Sequence, residues 1–208
     1  VSQKPYEFSV DPTKVTSKDA VSKFKGDIAV TSSGGFSAAE ITVSGQKDLL
    51  TITRNTSGVT YEMAENYSLS EVTNKFSITS NDHSSGDDLY KEVTLTRAAY
   101  IFKSSLEDGE VITFSAAKDL ERGPFNFEST GGFLNMDISY DGTEKDWLKD
   151  SKFDVSKGTL TIKAAENKGK NPRSAKITIK SMDYEKNSTE LSFTYTIGQD
   201  GTETTYKK

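Results

Sequence analysis

Lys176-Ile177-Thr178-Ile179 decides the fold, because Lys75-Phe76-Ser77-Ile78 repeats it 101 residues earlier. In both stretches an apolar residue alternates with a polar one, the pattern of a β-strand with one buried face. The repetition extends in both directions. Upstream, Tyr6-Glu7-Phe8 returns as Tyr100-Ile101-Phe102 and Ser33-Gly34-Gly35-Phe36 as Thr130-Gly131-Gly132-Phe133. Ile41 and Val43 align with Ile138 and Tyr140, and Lys47-Asp48-Leu49-Leu50 with Lys145-Asp146-Trp147-Leu148. Downstream, Ala64-Glu65-Asn66 meets Ala165-Glu166-Asn167, and Val93, Leu95 and Arg97 meet Tyr195, Ile197 and Gln199. The offset grows from 94 to 102 residues, as small loop insertions in a duplicated domain would make it grow.

The expected division is therefore residues 1–98 and 99–208, with only Ala98 and Ala99 between the last strand of one copy and the first of the next. So short a junction predicts a semi-rigid rod. Alternation recurs in Leu134/Met136/Ile138/Tyr140, Leu160/Ile162 and Phe193/Tyr195/Ile197. Turn chemistry separates these runs at Gly34-Gly35, Asp108-Gly109, Asp141-Gly142, Lys157-Gly158 and Asn171-Pro172. About seven short strands per copy, each with one apolar face, call for two packed antiparallel sheets. Ser17–Lys25 is the one stretch expected to form a short helical turn.

Composition limits the chemistry. The 208 residues carry 26 Lys and Arg against 31 Asp and Glu, a net charge of −5, so no basic face for nucleic acid is expected. Cysteine is absent, which excludes disulfides, thiolate catalysis and cysteine-held metal. No apolar run approaches the ~18 residues of a membrane helix. The start at Val1 reads as a mature exported chain whose signal has been removed. A mildly acidic surface suits a soluble monomer.

The second copy resembles the BACON domain, the Bacteroidetes-associated carbohydrate-binding, often N-terminal module. Trp147-Leu148, Gly158-Thr-Leu-Thr-Ile162 leading to Asn167, Arg173-Ser-Ala175-Lys-Ile177-Thr-Ile179 and the closing Ile197-Gly198-Gln199 carry the likeness. The first copy keeps Asn66 but has Leu49 for the Trp, lacks the Arg-x-Ala pair and places Arg97 where the Gln belongs. The resemblance implies two tandem immunoglobulin-like β-sandwiches, an all-β fold without catalytic residues. It also implies an exported, lipid-anchored protein at the outer-membrane surface or in the periplasm, the lipidated Cys lying upstream of Val1. A polysaccharide or mucin-type glycan is then the expected ligand; other surface proteins are the partners if the rod is a spacer.

Three aromatics are candidates for stacking on sugar. Trp147 is the sole tryptophan, but its apolar counterpart Leu49 favours a core role. Tyr140 lies on an alternating strand, which favours packing. Tyr184, in the polar segment Met182–Asn187, is the one placed to be exposed. His83, the sole histidine, sits in the polar loop Asn81–Asp88 with neither a second histidine nor a Gly-x-Ser-x-Gly nucleophile motif, so a loop residue is expected. Asp87-Asp88 and Asp141–Asp146 lack the alternating ligands of a calcium loop and read as solvated turns. No cofactor is expected.

Overall fold

The computed structural model describes residues 4–37, 41–44, 49–81, 89–117, 120–133, 136–141, 145–181, 183, 186 and 191–203. The chain divides into two compact units, Val1–Tyr100 and Ile101–Lys208. The division falls two residues beyond the expected 98/99 boundary. Tyr100 goes with the first unit: it is buried, its N–H donates to Ser68 O at 2.8 Å, and its ring centre lies 5.8 Å from that of Tyr67.

The first unit contains β1 (Phe8–Asp11), β2 (Lys14–Ser17), β3 (Phe24–Ser32), β4 (Ile41–Ser44), β5 (Leu50–Asn55), β6 (Gly58–Met63), β7 (Val72–Ser80) and β8 (Tyr90–Arg97). One sheet has the order β1-β3-β6-β5 and the other β2-β8-β7-β4. The second unit contains β9 (Phe102–Ser104), β10 (Val111–Phe114), β11 (Leu120–Ser129), β12 (Met136–Asp141), β13 (Lys152–Asp154), β14 (Thr159–Ala164), β15 (Arg173–Ser181) and β16 (Ser192–Gln199), with a 3-10 turn at Lys145–Leu148. Its sheets, β9-β11-β14-β13 and β10-β16-β15-β12, repeat the first unit's order strand for strand. The all-β, immunoglobulin-like pair of sandwiches is the architecture expected. Among the described residues each unit has eight strands, one beyond the expected number, because its N-terminal segment forms two strands, one in each sheet. β1 pairs antiparallel with β3, whereas β2 runs parallel to β8, as β10 does to β16.

Alternation builds each core. Phe76, Ile78, Val93 and Leu95 face inward between the first unit's sheets, and Leu160, Ile162, Ile177 and Tyr195 do so in the second. Burying one such side chain contributes about 1.5–3 kcal/mol. Gly35, Gly109 and Gly158 sit at positive φ in turns where turns were expected, while Gly142 lies outside the described residues. Gly158 has φ +63, and a Cβ there would lie 2.3 Å from the Phe133 ring, so the turn before β14 needs glycine twice over.

Two expectations are corrected. Ser17–Lys25 forms no helical turn: β2 ends at Ser17 and β3 begins at Phe24. Between them the Asp19 carboxylate accepts from Val21 N at 2.9 Å and Ser22 N at 3.0 Å, closing a tight polar turn. The second concerns register. Val43 faces Ile78 and Ile138 faces Ile179, so Val43 corresponds to Ile138 and Ile41 to Met136, two residues away from the sequence alignment. The offset between copies therefore falls at β4 and β12 before rising again. A two-residue slip leaves every side chain on its original face, so alternation cannot reveal it.

Candidate functional site

The residues that carried the resemblance converge on one place in the second unit. Trp147, on the 3-10 turn before β13, is buried at 4% exposure, and the Arg173 guanidinium sits 4.7 Å from its ring centre. Arg173 opens β15 and Gln199 closes β16, and the two are register partners. Arg173 Nε donates to Gln199 Oε1 at 2.9 Å, and its Nη2 donates to Ala165 O at 2.8 Å and Glu166 O at 3.2 Å. Gln199 Nε2 donates to Ser115 O and Ala165 O, both at 3.0 Å. Beside them the buried Asn167 donates to Asn171 O and Asp200 O and accepts from Gly169 N. Arg173, Gln199 and Asn167 each satisfy main-chain groups of loops that leave the sheets, as buried polar groups commonly do, whereas Trp147 Nε1 is buried with no hydrogen-bond partner among the described residues.

Two of the three stacking candidates, Trp147 and Tyr140, are thus placed differently from a sugar platform. Trp147 is covered by Arg173 and packed in the core, so it offers no open ring; the core alternative is the one realised. The premise drawn from Leu49 does not hold, since Leu49 is 55% exposed with φ +68 while its neighbour Leu50 is buried. Tyr140 is half-buried against the core, and its hydroxyl donates to Ser151 O at 3.1 Å. Burial raises its pKa above the usual tyrosine value. Tyr184, His83 and Asp87-Asp88 lie outside the described residues, as do residues 142–144 of the other calcium candidate. Among the described residues no three metal-ligating side chains gather.

Among the described residues of the second unit two concave surfaces stay open, a charged groove and a notch with polar and apolar lining. A groove of about 670 Å³ beside β11 and β14 is lined by Glu121, Asp150, Lys152, Lys163 and Glu166, with Lys163 Nζ 3.1 Å from the Glu121 carboxylate. A counterpart of about 350 Å³ occupies the same corner of the first unit, around Phe24, Glu62 and Glu65. A shallower notch of about 350 Å³ on the outer face of the β10-β16-β15 sheet is lined by Thr113, Pro172, Arg173, Ser174, Gly198 and Asp200. These surfaces offer hydrogen bonds and charges. A general acid needs a raised carboxyl pKa. Asp19 and Asp154 shift the other way, held down by backbone donors in the first case and by the Ser156 hydroxyl in the second.

The inward role of position 97 had a signal in the sequence. Val93, Leu95 and Arg97 share one strand parity, so an arginine on the apolar face was already written there. In the structure Arg97 is buried and donates through Nε to Ala20 O and through Nη1 to Met63 O and Ala64 O, at 2.6–2.8 Å, and through Nη2 to Ser22 O. Burial lowers its pKa, and the Glu65 and Asp19 carboxylates oppose that shift.

No curated protein matches the chain. Solved structures to which the chain is similar include the titin domains Z1Z2 in complex with telethonin, 10% identical, covering 99% of this chain and 100% of that one, with a TM-score of 0.39. Human mucin-like protocadherin EC1-2 is 9% identical over 93% of this chain and 97% of its own, with a TM-score of 0.36. An endo-fucoidan hydrolase of glycoside hydrolase family 107 is 13% identical over 91% of this chain but only 27% of its own, with a TM-score of 0.33. The family model of BACON, described as "Putative binding domain, N-terminal", matches residues 137–200. That stretch runs from β12 to the end of β16 and contains Trp147, Asn167, Arg173 and Gln199. Over that stretch the second unit is similar to the BACON family.

Proposed function

We propose that the chain is a non-catalytic glycan-binding module of an exported protein of the cell surface or periplasm. The observation that carries the reading is a pair of concave surfaces, a charged groove and a hydroxyl-bearing notch, among the described residues of the second unit, the one that holds the BACON match. Recognition proceeds through hydroxyl, carboxylate and ammonium groups, because Trp147 and Tyr140 are already used in packing. A second reading, a structural spacer or protein-interaction segment with no glycan ligand, is favoured by that same commitment of the aromatics to the core.

Affinity electrophoresis of the chain in gels containing plant and mucin-type polysaccharides separates the two. Retardation by at least one polysaccharide, relative to a ligand-free gel, is the expected result. Unchanged migration in every gel, even where ~mM affinities register, removes the glycan ligand and leaves the spacer.

A further inference from the structure

Gly198 is a glycine that the fold does not require. It sits mid-strand in β16, between Thr113 of β10 and Ser174 of β15. It is absent from the positive-φ residues, and a Cβ built on it would have Thr113 Oγ1, at 3.9 Å, as its nearest neighbour. The equivalent row of the first unit, Thr16-Thr96-Thr73, carries a side chain at all three positions, with the Thr73 and Thr96 hydroxyls 3.2 Å apart. Glycine inside a strand is unfavourable, and one without a conformational reason commonly marks a place where something approaches the backbone closely. At Gly198 the missing side chain opens the notch of about 350 Å³.

The lining specifies the ligand. Thr113 and Ser174 bring hydroxyls, which both donate and accept, and Asp200 brings a carboxylate, which only accepts. Pro172 adds an apolar ring face. Arg173, the cation among the described residues of the lining, already donates to Gln199, Ala165 and Glu166. The Asp200 carboxylate repels an anionic ligand and accepts from the hydroxyls of a neutral one. We propose that the notch over Gly198 binds a neutral, hydroxyl-rich saccharide, its hydroxyls on Thr113, Ser174 and Asp200 and its C–H face on Pro172. The assignment rests on the glycan-binding reading above and gives it a location and a ligand class.

The test is affinity electrophoresis of the full chain against a neutral β-glucan, a neutral galactomannan and an anionic mucin-type polysaccharide. Gly198→Thr fills the notch with the residue that the first unit accommodates at this position. Thr113→Val combined with Ser174→Ala removes hydroxyls without adding volume. Lys75→Ala with Glu92→Ala alters an exposed pair on the first unit instead. The expected result is retardation by a neutral polysaccharide, weakened about tenfold or more by either notch variant and unchanged by the first-unit variant. Intact folding is read from an unchanged Trp147 fluorescence melt. Wild-type retardation that survives both notch variants overturns the notch while leaving glycan binding in place. Retardation by the anionic polysaccharide alone overturns the ligand class. Absence of wild-type retardation in every gel overturns both the site and the reading beneath it.

Discussion

The two units solve the same problem with different residues. Where the last strand of each sandwich ends, the main chain entering and leaving the neighbouring loops points carbonyls into the interior. In the first unit Arg97 alone accepts the task, reaching the carbonyls of Ala20, Ser22, Met63 and Ala64. In the second, Gln199 occupies that place and Arg173 comes from the adjoining strand, so the Ala165 carbonyl, the counterpart of Ala64, takes a bond from each. Val72 stands where Arg173 does, facing Arg97 as Arg173 faces Gln199. Each guanidinium also lies over an aromatic ring, Phe24 in one unit and Trp147 in the other. The fold holds constant the satisfaction of those carbonyls, and the residue that supplies the donor is free to move one strand over. Asn66 and Asn167 did not move. Each donates to the loop four residues on and to the chain just past the last strand.

The largest expected effect breaks this comparison at its centre. Arg97→Ala strands several buried carbonyls at once and should destabilise the first unit by about 3–5 kcal/mol. Because Trp147 is the only tryptophan, its fluorescence follows the second unit, while circular dichroism follows both. The Arg97→Ala chain should therefore show an early dichroism transition with the fluorescence midpoint little moved. Arg97→Gln alone should be costly, and Arg97→Gln with Val72→Arg should recover much of the loss. No recovery would mean that the two arrangements are not interchangeable.

Trp147 and Leu49 sharpen the contrast next. They share a main-chain role, since Ala165 N donates to Trp147 O and Ala64 N to Leu49 O, each at 2.8 Å. Their side chains part company because one rides a 3-10 turn into the core and the other leaves at positive φ into solvent. Trp147→Ala should cost about 3–5 kcal/mol, and Leu49→Ala within about 0.5 kcal/mol, both read from urea midpoints by circular dichroism. Comparable losses would place Leu49 in the core after all.

These pairs also show what could be read from the sequence. Alternation and turn residues foretold the sandwiches and most of the duplication, because a strand's buried face is a local property with period two. The β4/β12 register was hidden by that same periodicity. Leu49 misled because identity constrains burial only when the backbone carries the residue in the same direction, and the loops before it differ in length. Arg97 departs from the Gln in the sequence itself, yet the consequence of that departure depends on the carbonyls of Ala20, Ser22, Met63 and Ala64 being brought together from distant segments. The notch over Gly198 was equally beyond reach, since only packing shows that this glycine has room for a side chain.

Alkaline pH should separate the units by a smaller margin. Tyr195 fills in the second core the place Val93 fills in the first, with its hydroxyl on Ser104 Oγ at 2.7 Å. Burial pushes its pKa up to about 12, with Asp108 and Glu110 adding to the shift. The unfolded tyrosine ionises near 10, so above that pH the unfolded state binds fewer protons than the folded one. Stability from this group is complete below about pH 10 and falls as pH rises toward 12, by roughly 2–3 kcal/mol in all. The fluorescence-detected midpoint should drop across that window, and Tyr195→Phe should flatten the drop. An undiminished slope in Tyr195→Phe would assign the effect to Tyr140, the other raised tyrosine among the described residues of this unit.

The smallest effect concerns a pair that the units carry in opposite order. Lys25 on β3 faces Glu62 on β6 at 3.4 Å, while Glu121 on β11 faces Lys163 on β14 at 3.1 Å, so the cross-strand pair is kept and its charges are exchanged. All four side chains are about half exposed, where such a pair contributes about 0–1 kcal/mol. Reversing both partners, Lys25→Glu with Glu62→Lys, should leave the urea midpoint within about 0.3 kcal/mol, whereas Lys25→Glu alone sets like charges opposite one another and should cost about 0.5–1 kcal/mol. The same double reversal at Glu121 and Lys163 is the sharper case, because that pair lines the groove with Asp150 and Lys152. If it costs more than its first-unit twin, those neighbouring charges fix the order there. If the two cost the same, the exchange between units is neutral, and the sign of the pair carries no information about what the groove meets.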